Sequence, residues 1–168
     1  MTTAATPTSI PLGSDLAARV QELRDRHEVF DALLRFAAGQ DLADRDTFLS
    51  AFAPDATLDF TQPARRFGAE VPVMRDRASI AEILQTLAPL DTTHTATNPR
   101  ITFDGDRAEL TALVEAQHVT KAEPHRHILL KNIYEVGLSR DGDHWVINHM
   151  VIRTVWHDGD PSVLFGDG

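Results

Sequence analysis

Asp41 and His94 are of the residue types that form a general-base pair, although they stand far apart in the chain. In such a pair the carboxylate accepts from one imidazole nitrogen, fixes the tautomer and stabilises the cation. The other nitrogen is then free to take a proton from carbon or water. Asp41 falls four residues beyond Ala37, so a helix running one turn past Ala37 would carry its carboxylate along the buried stripe. A carboxylate facing an apolar interior is costly unless a partner holds it, and His94 is the candidate partner. The alternative is that Asp41, after Gly39 and Gln40, makes ordinary turn chemistry or caps a helix.

His118 closes an alternating run in which Leu110, Ala112, Val114 and Ala116 share its face, while Glu109, Glu115 and Gln117 take the other. It points where the apolar residues point, and could serve either as a hydrogen-bonded core histidine or as a general acid. In the last β-rich segment Asn148, Met150 and Ile152 share one face, and Trp145, Ile147 and His149 the other. Asn148 or His149, not both, is expected to reach a pocket. The candidate substrate contacts are Phe36, Phe52, Phe60, Met74, Tyr134, Asn148, His149 and Met150. His125 and His127 form a His-x-His pair with no carboxylate at a metal-site spacing, and are expected at a solvated strand end. No Gly-rich phosphate loop, nucleophile elbow or His-Glu-x-x-His helix is present, so cofactor-free and metal-free acid/base work is the expectation.

Helices and strands must position these groups. Residues 1 to 13, rich in Thr, Ala, Pro and Ser, are expected to form a mobile arm that could order on a partner subunit, and residues 14 to 168 a single domain. Ser14 is a plausible N-cap for a first helix whose Leu16, Val20, Leu23, His27, Phe30, Leu34 and Ala37 lie on one face. Asp44 or Asp46 would cap a second helix with Phe48, Leu49 and Phe52 inward, ended by Pro54 and followed by a short strand near residues 57 to 60. Residues 61 to 75 read as a loop able to cover a pocket mouth, and Ser79 with Glu82 as a capping box opening a third helix that ends near Pro89. Asp104-Gly105 and Asp141-Gly142 are hairpin signals, giving four long strands near residues 92 to 103, 107 to 121, 126 to 139 and 144 to 157. Helices first and strands afterwards make an α+β domain, three helices covering a curved, mostly antiparallel sheet like a cone.

The chain has 168 residues, 42% of them hydrophobic, which suits one core, and a formal charge of −9, which repels nucleic acid and anionic membranes. It has no cysteine, so thiolate chemistry and disulfides are excluded. No apolar run approaches the ~20 residues of a bilayer span, and a cytoplasmic protein is expected.

The segments "DTFLSAFAPDATLDF" (Asp46 to Phe60), "TNPRITFDGDRAE", "EAQHV" and the final "W-x-I" with "VWHDGDP" together resemble the SnoaL-like branch of the nuclear-transport-factor-2-like superfamily, over roughly residues 15 to 163. That resemblance implies the cone fold. Among its members are polyketide cyclases, ketosteroid isomerases, limonene epoxide hydrolases, scytalone dehydratase, bile-acid dehydratases and a hexachlorocyclohexane dehydrochlorinase, so one fold hosts many reactions. By position, Asp41 and His94 match the dyad of the dehydratases and the dehydrochlorinase, and His118 the strand of a second catalytic histidine in scytalone dehydratase. Phe36 stands where the dehydrochlorinase has a lysine, and His149 or Met150 near its arginine, which argues against chloride as the leaving group. Only Tyr134 is on offer as a steroid-isomerase type of donor, and the Asp-Arg-Asp relay of an epoxide hydrolase is not evident.

The resemblance therefore implies a dehydratase-type lyase without cofactor, acting on a hydrophobic cyclic or aromatic substrate. The alternatives are cyclase, isomerase or epoxide hydrolase action, or a non-catalytic small-molecule binder. A sheet face rich in β-branched and aromatic residues points to a homodimer or homotrimer.

Overall fold

The computed structural model describes residues 15–166, so the expected N-terminal arm and the Ser14 cap lie outside the described residues. The chain opens with α1 (Leu16–Asp41), preceded by Asp15. Its buried residues begin only at Val29 and continue through Ala32, Leu33, Phe36, Ala37, Gly39 and Gln40. This corrects the expected stripe: Leu16, Val20, Leu23 and Leu34 are exposed. The burying face is turned about one residue from the apolar repeat, because the rest of the core meets only the second half of the helix.

After α1 the chain turns through Ala43, at φ 52°, into α2 (Arg45–Ser50), capped by Asp44 accepting from the Asp46 and Thr47 amides at 3.1 Å each. Gly39 lets the two helices approach. A Cβ there would collide with the backbone of Phe48. Next, β1 (Phe52–Asp59) starts earlier than the sequence suggests, and Pro54 fits because it lies on an edge strand.

The expected loop over residues 61 to 75 is helical at its start. α3 (Thr61–Arg66) begins where Asp59 accepts from the Thr61 amide at 2.8 Å, and Met74 then forms a bridge back to Leu58. The expected third helix is two short pieces, α4 (Arg77–Ala81) and α5 (Ile83–Leu87). Their capping box is also different: Asp76 accepts from the Ser79 amide at 2.7 Å, and the Ser79 hydroxyl accepts from the Asp76 amide at 3.2 Å.

Four long strands follow, β2 (Leu90–Asp104), β3 (Arg107–Thr120), β4 (His127–Asp141) and β5 (His144–Gly159), and a last short helix, α6 (Ser162–Phe165). The five strands form one sheet in the order β1-β5-β4-β3-β2, antiparallel except for the parallel β1–β5 pair. The helical layer is thus one long helix with short ones, rather than three helices. Its core joins Val29, Leu33 and Phe36 of α1 to Phe48, Phe52 and the inward residues of the sheet, Leu110, Val136, Trp145 and Ile147 among them. No described helix is long and apolar enough to cross a membrane.

Register decides which side chains look inward. On β2 the inner face carries Leu90, Thr92 and His94, and His94 pairs with Ala116 of β3, which pairs with Leu130 of β4. On β5 the register slips at Asn148, since Leu138 pairs with Ile147 but Gly137 with His149. This bulge turns Trp145 and Ile147 to the same side as Met150, Ile152 and Thr154, all of them buried.

Candidate active site

Asp41 is the last residue of α1, so the helix does run past Gly39 and carries the carboxylate to the inner face of β2. A carboxylate at a helix C-terminus faces the unfavourable end of the macrodipole and needs donors. β2 supplies them. The Thr92 hydroxyl donates to Asp41 Oδ1 at 2.9 Å, the His94 amide donates to Oδ2 at 2.8 Å, and His94 Nδ1 meets Oδ1 at 2.6 Å. Burial alone would push the Asp41 carboxyl up, but the hydrogen bonds and charge of His94, with Thr92, hold it below its ordinary value. An ionised carboxylate only accepts, so Nδ1 of His94 carries a proton, and whenever the ring is neutral Nε2 holds its lone pair. The His94 side chain is 3% exposed.

His118 stands on the neighbouring strand with its ring edge-on to His94, the centroids 5.5 Å apart. It is buried, and its Nδ1 has no hydrogen-bond partner among the described residues. Burial, aided by repulsion from His94, pushes its pKa down to about 3, so the ring is neutral at any ordinary pH.

These groups open on a cavity of about 560 Å³. Of the expected residues, Phe36, Phe60, Met74, Tyr134, His94 and His118 line it. The segment Val71–Asp76 closes one side, in agreement with a covering loop, although α3 takes up its first part. Size and lining suit a ligand of one or two rings.

Four expected contacts lie elsewhere. Phe52 is fully buried behind Phe36, with ring centroids 5.7 Å apart, and Met150 is fully buried in the core. His149 is on the outer side of the sheet, its ring laid over Gly137, where a Cβ would strike it. Asn148 is the bulged residue, its Oδ1 buried without a partner among the described residues and outside the cavity lining. The bulge defeats the period-two reading on which both were placed.

Sequence reasoning passed over Gln40, Thr92, Asn132 and the pair Leu164 and Phe165. Gln40, Asn132, Leu164 and Phe165 line the cavity, while Thr92 holds Asp41. Asn132 left a readable signal, a polar residue inside the inward run Ile128, Leu130, Tyr134 and Val136. Thr92 lies two before His94 and so shares its face. Leu164 and Phe165 gave none, because a four-residue helix has no period.

The family model of the SnoaL-like domain matches residues 21–151. The terrestric acid biosynthesis cluster protein E of Penicillium crustosum is 30% identical in an alignment 150 positions long that covers 84% of this chain and 90% of that protein. Among solved structures, a candidate scytalone dehydratase from Novosphingobium aromaticivorans superposes with a TM-score of 0.73 at 14% identity, over 84% of this chain and 91% of that one. A hexachlorocyclohexane dehydrochlorinase from Novosphingobium barchaimii gives 0.70 at 16% identity, over 89% of this chain and 99% of its own. At these identities the two structural likenesses establish the fold.

Proposed function

This chain belongs to the SnoaL-like family, and on that premise we propose that it is a cytoplasmic, cofactor-independent lyase that eliminates water from a small, hydrophobic, cyclic substrate. The observation that carries the reading is the 2.6 Å contact of Asp41 with His94 Nδ1 at the wall of the cavity. That contact leaves Nε2 of His94 as the base.

His94 takes a proton from the carbon beside the one bearing the hydroxyl, and Asp41 stabilises the imidazolium that results. The C–O bond then breaks and the proton on His94 returns to the departing oxygen, so water leaves and the dyad is restored. His118 fits the leaving hydroxyl as a hydrogen-bonding partner. Being neutral, with a pKa pushed down to about 3, it has no stored proton to give. The Penicillium relative's place in a biosynthesis cluster accords with work on a small molecule.

The test is a panel of cyclic and aromatic alcohols with an activated C–H beside the carbinol carbon, read by mass spectrometry for loss of water. Wild type is expected to convert at least one, and Asp41→Asn and His94→Ala to convert none at a comparable rate. Equal activity in all three proteins would remove the dyad, and ligand affinity without turnover would make the chain a binder.

We also propose self-association through the outer sheet face, where Leu113, Val155 and Trp156 are 44%, 52% and 47% exposed. Light scattering on wild type and Trp156→Glu checks it, and a monomeric wild type would exclude it.

A further inference from the structure

The dyad leaves a buried acceptor of the chamber unused. Gln40 lies in the last turn of α1, just before Asp41, and is 8% exposed, yet its side chain lines the cavity with Phe36, Ile83 and Leu87. Its orientation is fixed from within the helix. The side-chain amide donates through Nε2 to the Phe36 carbonyl, one turn back, at 3.2 Å. A carbonyl only accepts, so the NH2 group must face it and Oε1 must face away. Among the described residues no donor meets Oε1, and the atom is not sealed in the core, so it opens onto the chamber. Side chains four apart stand one above the other on a helix. This acceptor is therefore one turn along α1 from the Phe36 ring, which stands edge-on to His94 at a centroid distance of 6.5 Å.

We propose that Gln40 Oε1 determines specificity as a hydrogen-bond acceptor, selecting a substrate that carries an uncharged O–H or N–H donor where its ring system lies against the end of α1. The inference rests on the reading of this cavity as the substrate site and adds what the substrate must carry. A ligand that fills the chamber takes the place of solvent at Oε1, and a buried acceptor left without a donor costs more than a made hydrogen bond returns. An apolar edge at that point therefore binds at a loss. A ketone, ether or carboxylate fares worse, since it sets a second acceptor against the first. A charged ammonium would meet the desolvation cost of a mostly apolar chamber. The neighbouring Asp41 works in the same sense as Gln40. Its carboxyl, held below its ordinary value, is ionised, and the negative charge favours the positive end of an O–H or N–H dipole.

Two matched pairs of unreactive probes test this: 2-naphthol with 2-methylnaphthalene for the O–H donor, and indole with indene for the N–H donor. The members of a pair share one shape, and only the first has a donor. All four are titrated into the full chain, wild type and Gln40→Leu, at neutral pH, where both donors are uncharged. Leucine keeps the helix propensity and most of the volume while removing the acceptor. The variant is expected to bind at least one donor about 5- to 50-fold more weakly and its donor-free partner unchanged. The pair that responds identifies the donor as O–H or N–H. Equal binding of both donors by the two proteins, or losses shared by both members of a pair, overturns the proposal. Should Gln40→Leu fold poorly, the unbranched Gln40→Met must show the same selective loss, and its absence overturns the proposal equally. No probe carries a hydroxyl on saturated carbon, so none can lose water. This result is therefore independent of the alcohol panel, whose failure alone tells against the lyase reading.

Discussion

Asp41 and His94 lie 53 positions apart in sequence and meet through Oδ1 and Nδ1 at 2.6 Å. The contact is over-determined, because the His94 backbone amide and the Thr92 hydroxyl bind the same carboxylate. Three donors from one strand therefore hold the end of one helix. Asp41→Asn keeps the size and loses the charge that stabilises the imidazolium. Turnover is expected to fall by about two to four orders of magnitude with KM little changed. Adding His94→Ala to it should cost little more, because the two act as a unit. Additive losses in steady-state kinetics would mean two separate roles.

Acid stability should report on His118. In the unfolded chain it titrates near its ordinary value of about 6.5, while in the fold burial pushes it down to about 3. A histidine whose folded pKa is depressed contributes fully above about pH 6.5 and progressively less below it, since the unfolded chain takes up the proton first. Between about pH 7.5 and 5 wild type should lose about 2 kcal/mol that His118→Gln does not lose. Urea melts at the two pH values check this. Parallel stability profiles for the two proteins would place His118 in contact with water. Asp41 acts in the same direction at lower pH. Its carboxyl is held below its ordinary value, so its contribution starts to be lost as the pH falls through that ordinary value and is gone below the depressed one.

Gly39 should tolerate no side chain, even though glycine to alanine inside a helix ordinarily stabilises by about 0.5–1 kcal/mol. A Cβ at Gly39 would meet the Phe48 backbone, not the tip of a flexible side chain, so α2 must move. Overpacking of that kind costs about 1–3 kcal/mol. Gly39→Ala is therefore expected to be less stable in denaturant melts, and less active because Asp41 lies half a turn on. A stabilised variant would show that α2 docks loosely.

The strand order along the chain, the two Asp-Gly hairpins and the inner face of β3 ending in His118 were legible because each rests on a local rule, period two or a turn dipeptide. Asp41 was legible as the continuation of a stripe, although the stripe itself was placed wrongly. Leu16, Val20 and Leu23 repeat as a core face does, and only the fold reveals that they are exposed among the described residues. The last strand failed for a different reason. One extra residue, Asn148, reverses the face assignments from His149 to Thr154, a second slip at Val155 turns them again, and no residue type announces a bulge. The parallel β1–β5 pairing and the Thr154–Asn132 bond are products of tertiary register and have no local signature.

Phe165 should govern how long a ligand stays. It lines the cavity, and its ring stacks on Phe60 at 5.8 Å and on Phe67 at 5.0 Å, so α6 lies across the chamber as a flap. The base of that flap is pinned at Arg126, which donates to the Ser162 hydroxyl at 2.7 Å and pairs with Asp160 at 3.3 Å. Aromatic pairs contribute about 0.5–1.5 kcal/mol each beyond the area they bury. Phe165→Ala loses two such contacts and opens the wall, while the main core around Phe36, Phe48 and Trp145 is untouched. Dissociation of bound 2-methylnaphthalene is thus expected to accelerate about tenfold, with a thermal midpoint close to wild type. Arg126→Ala, which frees the base of the flap and leaves the stack, should produce a smaller acceleration in the same stopped-flow measurement. Unchanged off-rates in both variants would mean that the ligand leaves by another route, past Val71–Asp76.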